Sequence, residues 1–483
     1  MNLDGLVAAL APAQVVNEAP LDVSALAYDT RGVGPGALFF CIPGARVDGH
    51  TFAAEAVERG AVALVVERPL NLPVPQIVVP DARAAMAVAA DEFYGRPTEQ
   101  LVVAGVTGTN GKTTTAFLIH GVLATAGLRP GLIGTIESRI GGEIRPAVRT
   151  TPEAIDLQRT FRELLDAGDR SCAIEATSHG SELRRLDRVR FDVLVFTNLT
   201  RDHLDFHGTL ERYFEAKRRL FLTGDPPPAA ALNIGDEYGR RLADELRGLG
   251  RALLTFGFAD DADLRPEGLE LARDGTRFRA GGLDVETRLR GTFNVENVLG
   301  AVAAARLIGL PDAAIADGIR HVAGVPGRFE AVDEGQPFAV LVDYAHTPDS
   351  LANVLHAARE LAERRLICVF GCGGDRDRGK RPVMGRIAAE AADIAIATSD
   401  NPRSEDPLAI IDEIVAGRRD LEVEPDRRAA IGLAIGIAEP GDVVVIAGKG
   451  HEQGQEFRDG KLPFDDREVA REALRTLPVK AQT

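Results

Sequence analysis

Apolar residues along the 483-residue chain gather into short runs rich in Val, Ile and Ala, separated by stretches with helical spacing. The runs are LVVAGV at 101–106, CAIEA at 172–176, FDVLVFT at 191–197, FAVLVDY at 338–344, LICVFG at 366–371, DIAIAT at 393–398 and DVVVIAG at 442–448. Most are too continuous for a strand with one wet face, which would alternate apolar and polar positions. They predict parallel strands covered on both sides by helices, the α/β class.

Two breaks divide this pattern. GRPTEQ at 95–100, polar and containing Pro97, precedes the run LVVAGV, and GVPGR at 324–328 closes a long helical stretch before a new strand-first unit. A chain of this length exceeds what a single hydrophobic core organises. The breaks predict three α/β domains: residues 1–98, a central parallel-sheet domain at 99–327, and a Rossmann-like domain at 328–483.

Composition changes the picture little. With 45% apolar and 27% charged residues the chain reads as globular, and a formal charge of −16 argues against a non-specific nucleic-acid binder. No Lys or Arg precedes Arg31, so a secretory leader is not expected, and no run reaches the roughly eighteen apolar residues of a spanning helix. Cys41, Cys172, Cys368 and Cys372 lack paired metal-ligand spacing and read as reduced thiols. The expectation is a cytoplasmic monomer acting on small molecules, without nucleic acid and without membrane insertion.

The sharpest chemical signal follows the run at 101–106. There stand Thr107, Gly108, Thr109, Asn110, Gly111, Lys112, Thr113 and Thr114, and then the helical stretch AFLIHGVLATA. Strand, glycine loop and helix is the context of a nucleotide phosphate loop. Gly108 and Gly111 let backbone N–H groups approach phosphates, the helix N-terminus adds partial positive charge, Lys112 reaches the outer phosphates, and Thr113 offers a hydroxyl to Mg²⁺. The general pattern would place Gly where Val106 stands.

Two further clusters follow strand ends, where open α/β sheets gather ligands: Glu175 to Gly180, reading EATSHG, and Thr197 to Asp205, reading TNLTRDHLD. Phosphoryl transfer needs hard oxygen ligands, and Glu175 with His203 could hold a metal there. Read from the residues alone, each cluster is a capped turn sooner than a site, and Lys217 in YFEAKRRLF is a surface lysine of a basic helix.

EATSHGSELRRL and FTNLTRDHLDFHGTLERYFEAKRRLF resemble the central domain of the Mur ligase family. That resemblance implies an ATP-dependent, Mg²⁺-requiring ligase of peptidoglycan precursor synthesis. It implies that Lys217 is carbamylated to N6-carboxylysine and joins Thr113, Glu175 and His203 in the metal site, with Lys112, Glu175, His203 and Lys217 catalytic. It also implies nucleotide contacts at Asn294 and Arg328, and at Asp343, Tyr344 and His346 in VDYAHTPDS. Without it, Asn294 reads as the N-cap of the helix that follows.

At the front, AYDTRGVGPGALFFCIPGARVDGHTF resembles the family's UDP-binding module, which implies substrate contacts at Tyr28, Thr30, Ala45, Arg46 and Val47. Thr150, Thr151, Ser178 and Arg185 are implied on the same substrate, whereas a glutamine of relatives is Leu183 here. In the rear domain, Asp400, Asn401, Pro402 and Arg403 resemble the signature of the branch that adds meso-diaminopimelate. Arg376 and Arg403 could each fork onto a carboxylate, while Asp400 and Glu452 could face ammonium groups beside Gly448. The residues alone allow an Asx-Pro turn with a solvated Arg403. Three rival readings stay open: a lysine-adding relative, a folylpolyglutamate synthetase, and a nucleotide switch without ligase activity.

Overall fold

The computed structural model describes residues 1–44, 47–272, 275–416, 418 and 420–477. Ala45 and Arg46 therefore lie outside the described residues. Three α/β sheets follow one another along the chain. The first is ordered Gln14–Val16, Gln76–Val78, Ala61–Val66, Ala37–Phe40 and Ala25–Ala27, with only the first strand antiparallel to its neighbour. Its continuous apolar strands divide between two cores. Leu38, Phe40 and Val65 face one side, and Phe39, Leu64 and Val66 the other, as a two-residue period requires.

The central sheet has eight strands. Six are parallel, in the order Leu253–Phe256, Ala229–Asn233, Val193–Phe196, Val102–Thr107, Ser171–Glu175 and Pro130–Ile133. Two antiparallel strands, Glu137–Ile140 and Glu143–Pro146, extend the far edge. A separate antiparallel sheet of Glu267–Ala272, Gly275–Ala280 and Leu283–Thr287, which the long apolar runs did not announce, packs Phe278, Ala280 and Val285 onto the central core.

The third sheet is ordered Glu330–Ala331, Ala339–Asp343, Val443–Ala447, Leu366–Phe370, Ile394–Ala397 and Glu422–Val423, and only its first strand is antiparallel to its neighbour. Its middle strand is buried on both faces, with Val443, Val445 and Ala447 in one core and Val444 and Ile446 in the other. Among the described residues no helix is long and apolar enough to cross a membrane.

Direct bonds join the units. The Tyr28 hydroxyl donates to Asp156 at 2.6 Å, and Ala154 and Ile155 of the helix Ala154–Asp166 enter the core beneath the first sheet. From the third unit, Arg328 donates to Thr113 Oγ1 at 3.2 Å.

Candidate functional site

The strand Val102–Thr107 hands over to the helix Lys112–Thr125 through the glycine loop. Gly111 caps that helix at φ 85°, and a side chain there would begin 2.2 Å from Asn297 Oδ1. Gly108 has φ 150°, and its missing Cβ would lie 1.8 Å from Thr197 Oγ1. Glycine is thus demanded by conformation and by close approach at both positions. The segment after the strand Val193–Phe196 braces the loop: Asn198 accepts from the N–H groups of Thr109 and Asn110, and Thr197 Oγ1 donates to Asn110 O at 2.6 Å.

Lys112 folds back over the loop, with Nζ 2.9 Å from Gly108 O and 2.7 Å from Thr109 O. Lys217 reaches the same Gly108 carbonyl at 2.7 Å, with Nζ 4.4 Å from the centre of the Tyr213 ring. Lys217 is 1% exposed, so the surface-lysine reading is corrected. The reason lies in its helix, Leu210–Leu222, where Tyr213, Phe214, Leu220 and Phe221 are also buried: Lys217 occupies the apolar stripe. Burial, and next the neighbouring Lys112, hold its amine far below the ordinary lysine value, with Asp202 opposing.

Glu175, at the end of the strand Ser171–Glu175, is 1% exposed. It accepts from Thr113 Oγ1 at 3.1 Å, from Thr135 N at 2.7 Å and from Thr135 Oγ1 at 2.9 Å. His203 takes φ 53° and stands edge-on to His179, and burial first of all keeps its imidazole below the usual range and neutral. Lys112, Thr113, Glu175, His203 and Lys217 all line one cavity of about 1020 Å³.

Residues from beyond position 327 close the same cavity: Arg328, Asp343, Tyr344, His346 and Arg376. Arg328 lies over the Tyr344 ring at 4.4 Å. Asp343 accepts from the N–H groups of Phe329 and Ala345, each at 2.7 Å, and burial raises its carboxyl to about 6. Asn294 does not cap its helix. Gly291 is the cap, and Asn294 sits inside Thr292–Leu307, bonded to Arg290 O and to the Asn297 amide. Thr292, Phe293, Glu296 and Asn297 of that helix line the cavity.

Thr150, Thr151, Ser178 and Arg185 line the cavity too. Thr151 Oγ1 holds Glu175 O at 2.8 Å, Ser178 Oγ is 3.0 Å from His207 Nε2, and Arg185 pairs with Glu153 at 2.7 Å. Tyr28, Thr30 and Val47 lie apart from it. The hydroxyl of Tyr28 is committed to Asp156, Thr30 opens a short helical turn capped by Asp29, and Val47 is 52% exposed.

Three loops meet at the ends of the adjacent strands Val443–Ala447, Leu366–Phe370 and Ile394–Ala397. The Asn401 amide donates to Glu452 at 2.8 Å, and Lys449 Nζ lies 2.8 Å from Asn401 Oδ1 and 3.0 Å from Glu452. Arg403 donates to Gly374 O at 2.8 Å and to Glu456 at 2.9 Å, so its guanidinium is held rather than solvated. Gly374 approaches Pro402 O so closely that a Cβ would lie 2.0 Å away, and a Cβ on Gly448 would lie 2.5 Å from Asp400 Oδ2. Asp400 is 7% exposed, and Lys449 and Arg427 pull its carboxyl down against burial.

Sequence reading gave no individual role to several members of these clusters. Asp202, Asn297 and Glu296 line the cavity, Lys449 is fully buried among the rear loops, and Arg381, also fully buried, clamps Glu405 and Glu413 beneath them. For Glu296, a charged residue inside an otherwise apolar helix is the signal that could have found it.

Comparison with known proteins follows the same division. The Mur ligase family catalytic domain matches residues 22–94, the Mur ligase middle domain 106–305, and the Mur ligase glutamate ligase domain 327–450. A UDP-N-acetylmuramoyl-L-alanyl-D-glutamate--2,6-diaminopimelate ligase of Solibacter usitatus is 50% identical over 469 residues, covering 95% of this chain and 94% of the relative. A solved structure of a ligase with the same name is 35% identical, with TM-score 0.69, covering 94% of this chain and 95% of that one. A MurF ligase from Thermotoga maritima in complex with ADP, 20% identical with TM-score 0.60 over 93% of this chain and 96% of its own, shares the fold. Identity of this extent, over sheets arranged in the same succession, means that the chain belongs to the Mur ligase family.

Proposed function

We propose that this chain is an ATP-dependent ligase joining meso-2,6-diaminopimelate to UDP-N-acetylmuramoyl-L-alanyl-D-glutamate. Relatives at 50% and 49% identity carry that name. The observation that carries the chemistry is the shared cavity, where Lys112, Thr113, Glu175 and Lys217 of the central sheet face Arg328, Tyr344 and His346 of the rear unit. A nucleotide held there has its outer phosphates between the two units.

In this reading residues 1–98 hold the UDP moiety, 99–327 the nucleotide, and 328–483 the amino acid, each around its own sheet. Gly108 to Thr114 cradle ATP, with Lys112 swinging from the loop carbonyls onto the β- and γ-phosphates. Thr150, Thr151, Ser178 and Arg185 present the D-glutamate side-chain carboxylate. Its oxygen attacks the γ-phosphorus, the bond to the β-phosphate oxygen breaks, and an acyl phosphate and ADP form. The amine of diaminopimelate then attacks the acyl carbon, loses a proton, and inorganic phosphate leaves as the amide forms. Lys112 stabilises the charge that develops on the oxygens, and the rear unit excludes water that would hydrolyse the acyl phosphate.

The donor set suits a hard cation, since Mg²⁺ takes one or two protein oxygens together with phosphate and water. Thr113 and Glu175 converge to 3.1 Å, and Lys217, whose amine burial holds well below the ordinary lysine value, is placed to accept CO₂ as an N6-carboxylate. With His203 these residues would hold Mg²⁺, which supplies charge neutralisation on the transferring phosphoryl group. At the rear loops Arg376 and Arg403 would take the carboxylates of diaminopimelate, and Asp400 its ammonium. Four free, buried cysteines suit a reducing, cytoplasmic setting.

Phosphate release with the UDP-dipeptide and a panel of meso-diaminopimelate, L-lysine and L-ornithine tests this. Release should require both the dipeptide and meso-diaminopimelate. Release without either would make the protein a nucleotide switch, and preference for lysine would overturn the substrate assignment.

A further inference from the structure

Beside the phosphate loop, the cavity is lined by a pair of side chains that phosphate chemistry does not need. Asn233 closes the strand Ala229–Asn233, and Glu296 stands in the second turn of the helix Thr292–Leu307; both line the cavity. Asn233 has a fixed orientation, because its Oδ1 accepts from Gly235 N at 2.9 Å. Its amide is the partner of the half-buried Glu296 carboxylate, whose Oε1 lies with Asn233 Oδ1 around the same point above Gly235.

The surroundings keep this edge open. A Cβ on Gly235 would lie 3.1 Å from Asn233 Oδ1 and 3.5 Å from Glu296 Oε1, and one on Gly257 would lie 2.6 Å from Asn233 Oδ1. Side chains at either glycine would cover the pair. Beside it Phe258 lines the cavity while 45% exposed, an apolar ring offered to a flat partner. The next residue of the helix, Asn297, touches the glycine loop: its Oδ1 lies where a Cβ on Gly111 would fall. The pair therefore stands one helical step from the phosphate loop, in the same cavity as the Phe258 ring.

A carboxylate already oriented by one amide has acceptor capacity left and no donor of its own. An acceptor covered by a bound base beside an apolar ring selects a ring edge that bears N–H groups, and leaving it unpaired costs the bound state heavily. We infer that Glu296, held by Asn233, is the base-specificity determinant of the nucleotide site, reading the exocyclic 6-amino group of adenine and rejecting a 6-keto purine. This rests on the nucleotide reading of the cavity and adds to it the residue that selects the base.

The test is direct binding, which does not depend on amide formation. Dissociation constants for ATP, inosine triphosphate and purine riboside triphosphate would be measured by calorimetry on the wild-type protein, on the near-isosteric Glu296→Gln and on Glu296→Ala, with thermal melts to verify folding. The wild type should favour ATP over both analogues at least tenfold. Glu296→Gln, whose amide can turn an N–H toward O6, should cut the ATP to inosine triphosphate ratio at least tenfold. Glu296→Ala should cut the ATP to purine riboside triphosphate ratio likewise. Ratios unchanged in folded variants would overturn the proposal while leaving the ligase reading intact; a wild type that binds no ATP would overturn both.

Discussion

Asn110 of the phosphate loop donates its side-chain amide to Asp349 of the rear unit at 2.8 Å. The Thr200 hydroxyl reaches the same carboxylate oxygen at 3.1 Å, and Asp349 itself stands in the first turn of a helix, Pro348–Leu361, secured by a capping box between Thr347 and Ser350. The rear unit is thereby tied to the loop that cradles phosphate. Asp349→Ala should lower kcat/KM for ATP about tenfold, or about 1.4 kcal/mol, because hydrogen bonds to a charged acceptor are lost. Asp349→Asn, which keeps one acceptor, should fall between. Steady-state kinetics at saturating amino acid would check this, and an unchanged kcat/KM in the alanine variant would show the contact to be incidental.

Lys217 offers a separate test, since its buried amine touches Gly108 O and is held well below the ordinary lysine value by burial. A guanidinium keeps positive charge at every accessible pH and cannot become a carbamate. Lys217→Arg should therefore lose at least about a hundredfold in turnover, more than tenfold rate effects of ordinary packing changes. Depleting bicarbonate should slow the wild type reversibly and leave the variant unaffected. Full activity in Lys217→Arg would end the carbamate proposal.

Both tests concern features with very different visibility in the sequence. The seven apolar runs all became strands, because continuous Val and Ile runs have few other ways to bury both faces. The phosphate loop was equally plain, since its glycines, Lys112 and helix are local. The antiparallel sheet of Glu267–Ala272, Gly275–Ala280 and Leu283–Thr287 escaped, because its alternation of Arg277, Phe278 and Arg279 buries one face only and reads like an exposed polar stretch. Lys217 could have been placed by its position three residues after Phe214 and three before Leu220, on the apolar stripe. Asp349, Lys449 and Arg381 could not, because their meaning depends on partners brought from distant segments.

Asp343 makes a prediction about pH. Burial raises its carboxyl from 3.8 to about 6, against the pull of Arg328 and of the Phe329 and Ala345 N–H groups. The folded state then binds this proton more tightly than the unfolded state. Its contribution to stability is greatest below about 4 and declines as pH rises through about 6. Denaturant titrations of wild type and Asp343→Asn between pH 4 and 7 should give curves that diverge, with the wild type losing relative stability as pH rises. Parallel curves would mean that the carboxyl titrates normally.

The rear loops rest on a buried ion pair. Arg427 donates to Asp466 at 2.7 Å, with both side chains wholly buried, and also to Ala447 O at 2.9 Å, the carbonyl just before Gly448. Asp466→Ala leaves a guanidinium in the interior without its counter-charge, a change worth roughly 3–5 kcal/mol. Because the same guanidinium holds the strand end beneath Asp400 and Gly448, the amino-acid site should fail before the nucleotide site does. Thermal unfolding should show an early transition, and the KM for diaminopimelate should rise while the Kd for ATP holds. Replacing both partners with apolar residues of similar size should recover stability without recovering the amino-acid KM, since the carbonyl would still lack its donor. A double variant restored in both respects would show that the pair serves packing alone.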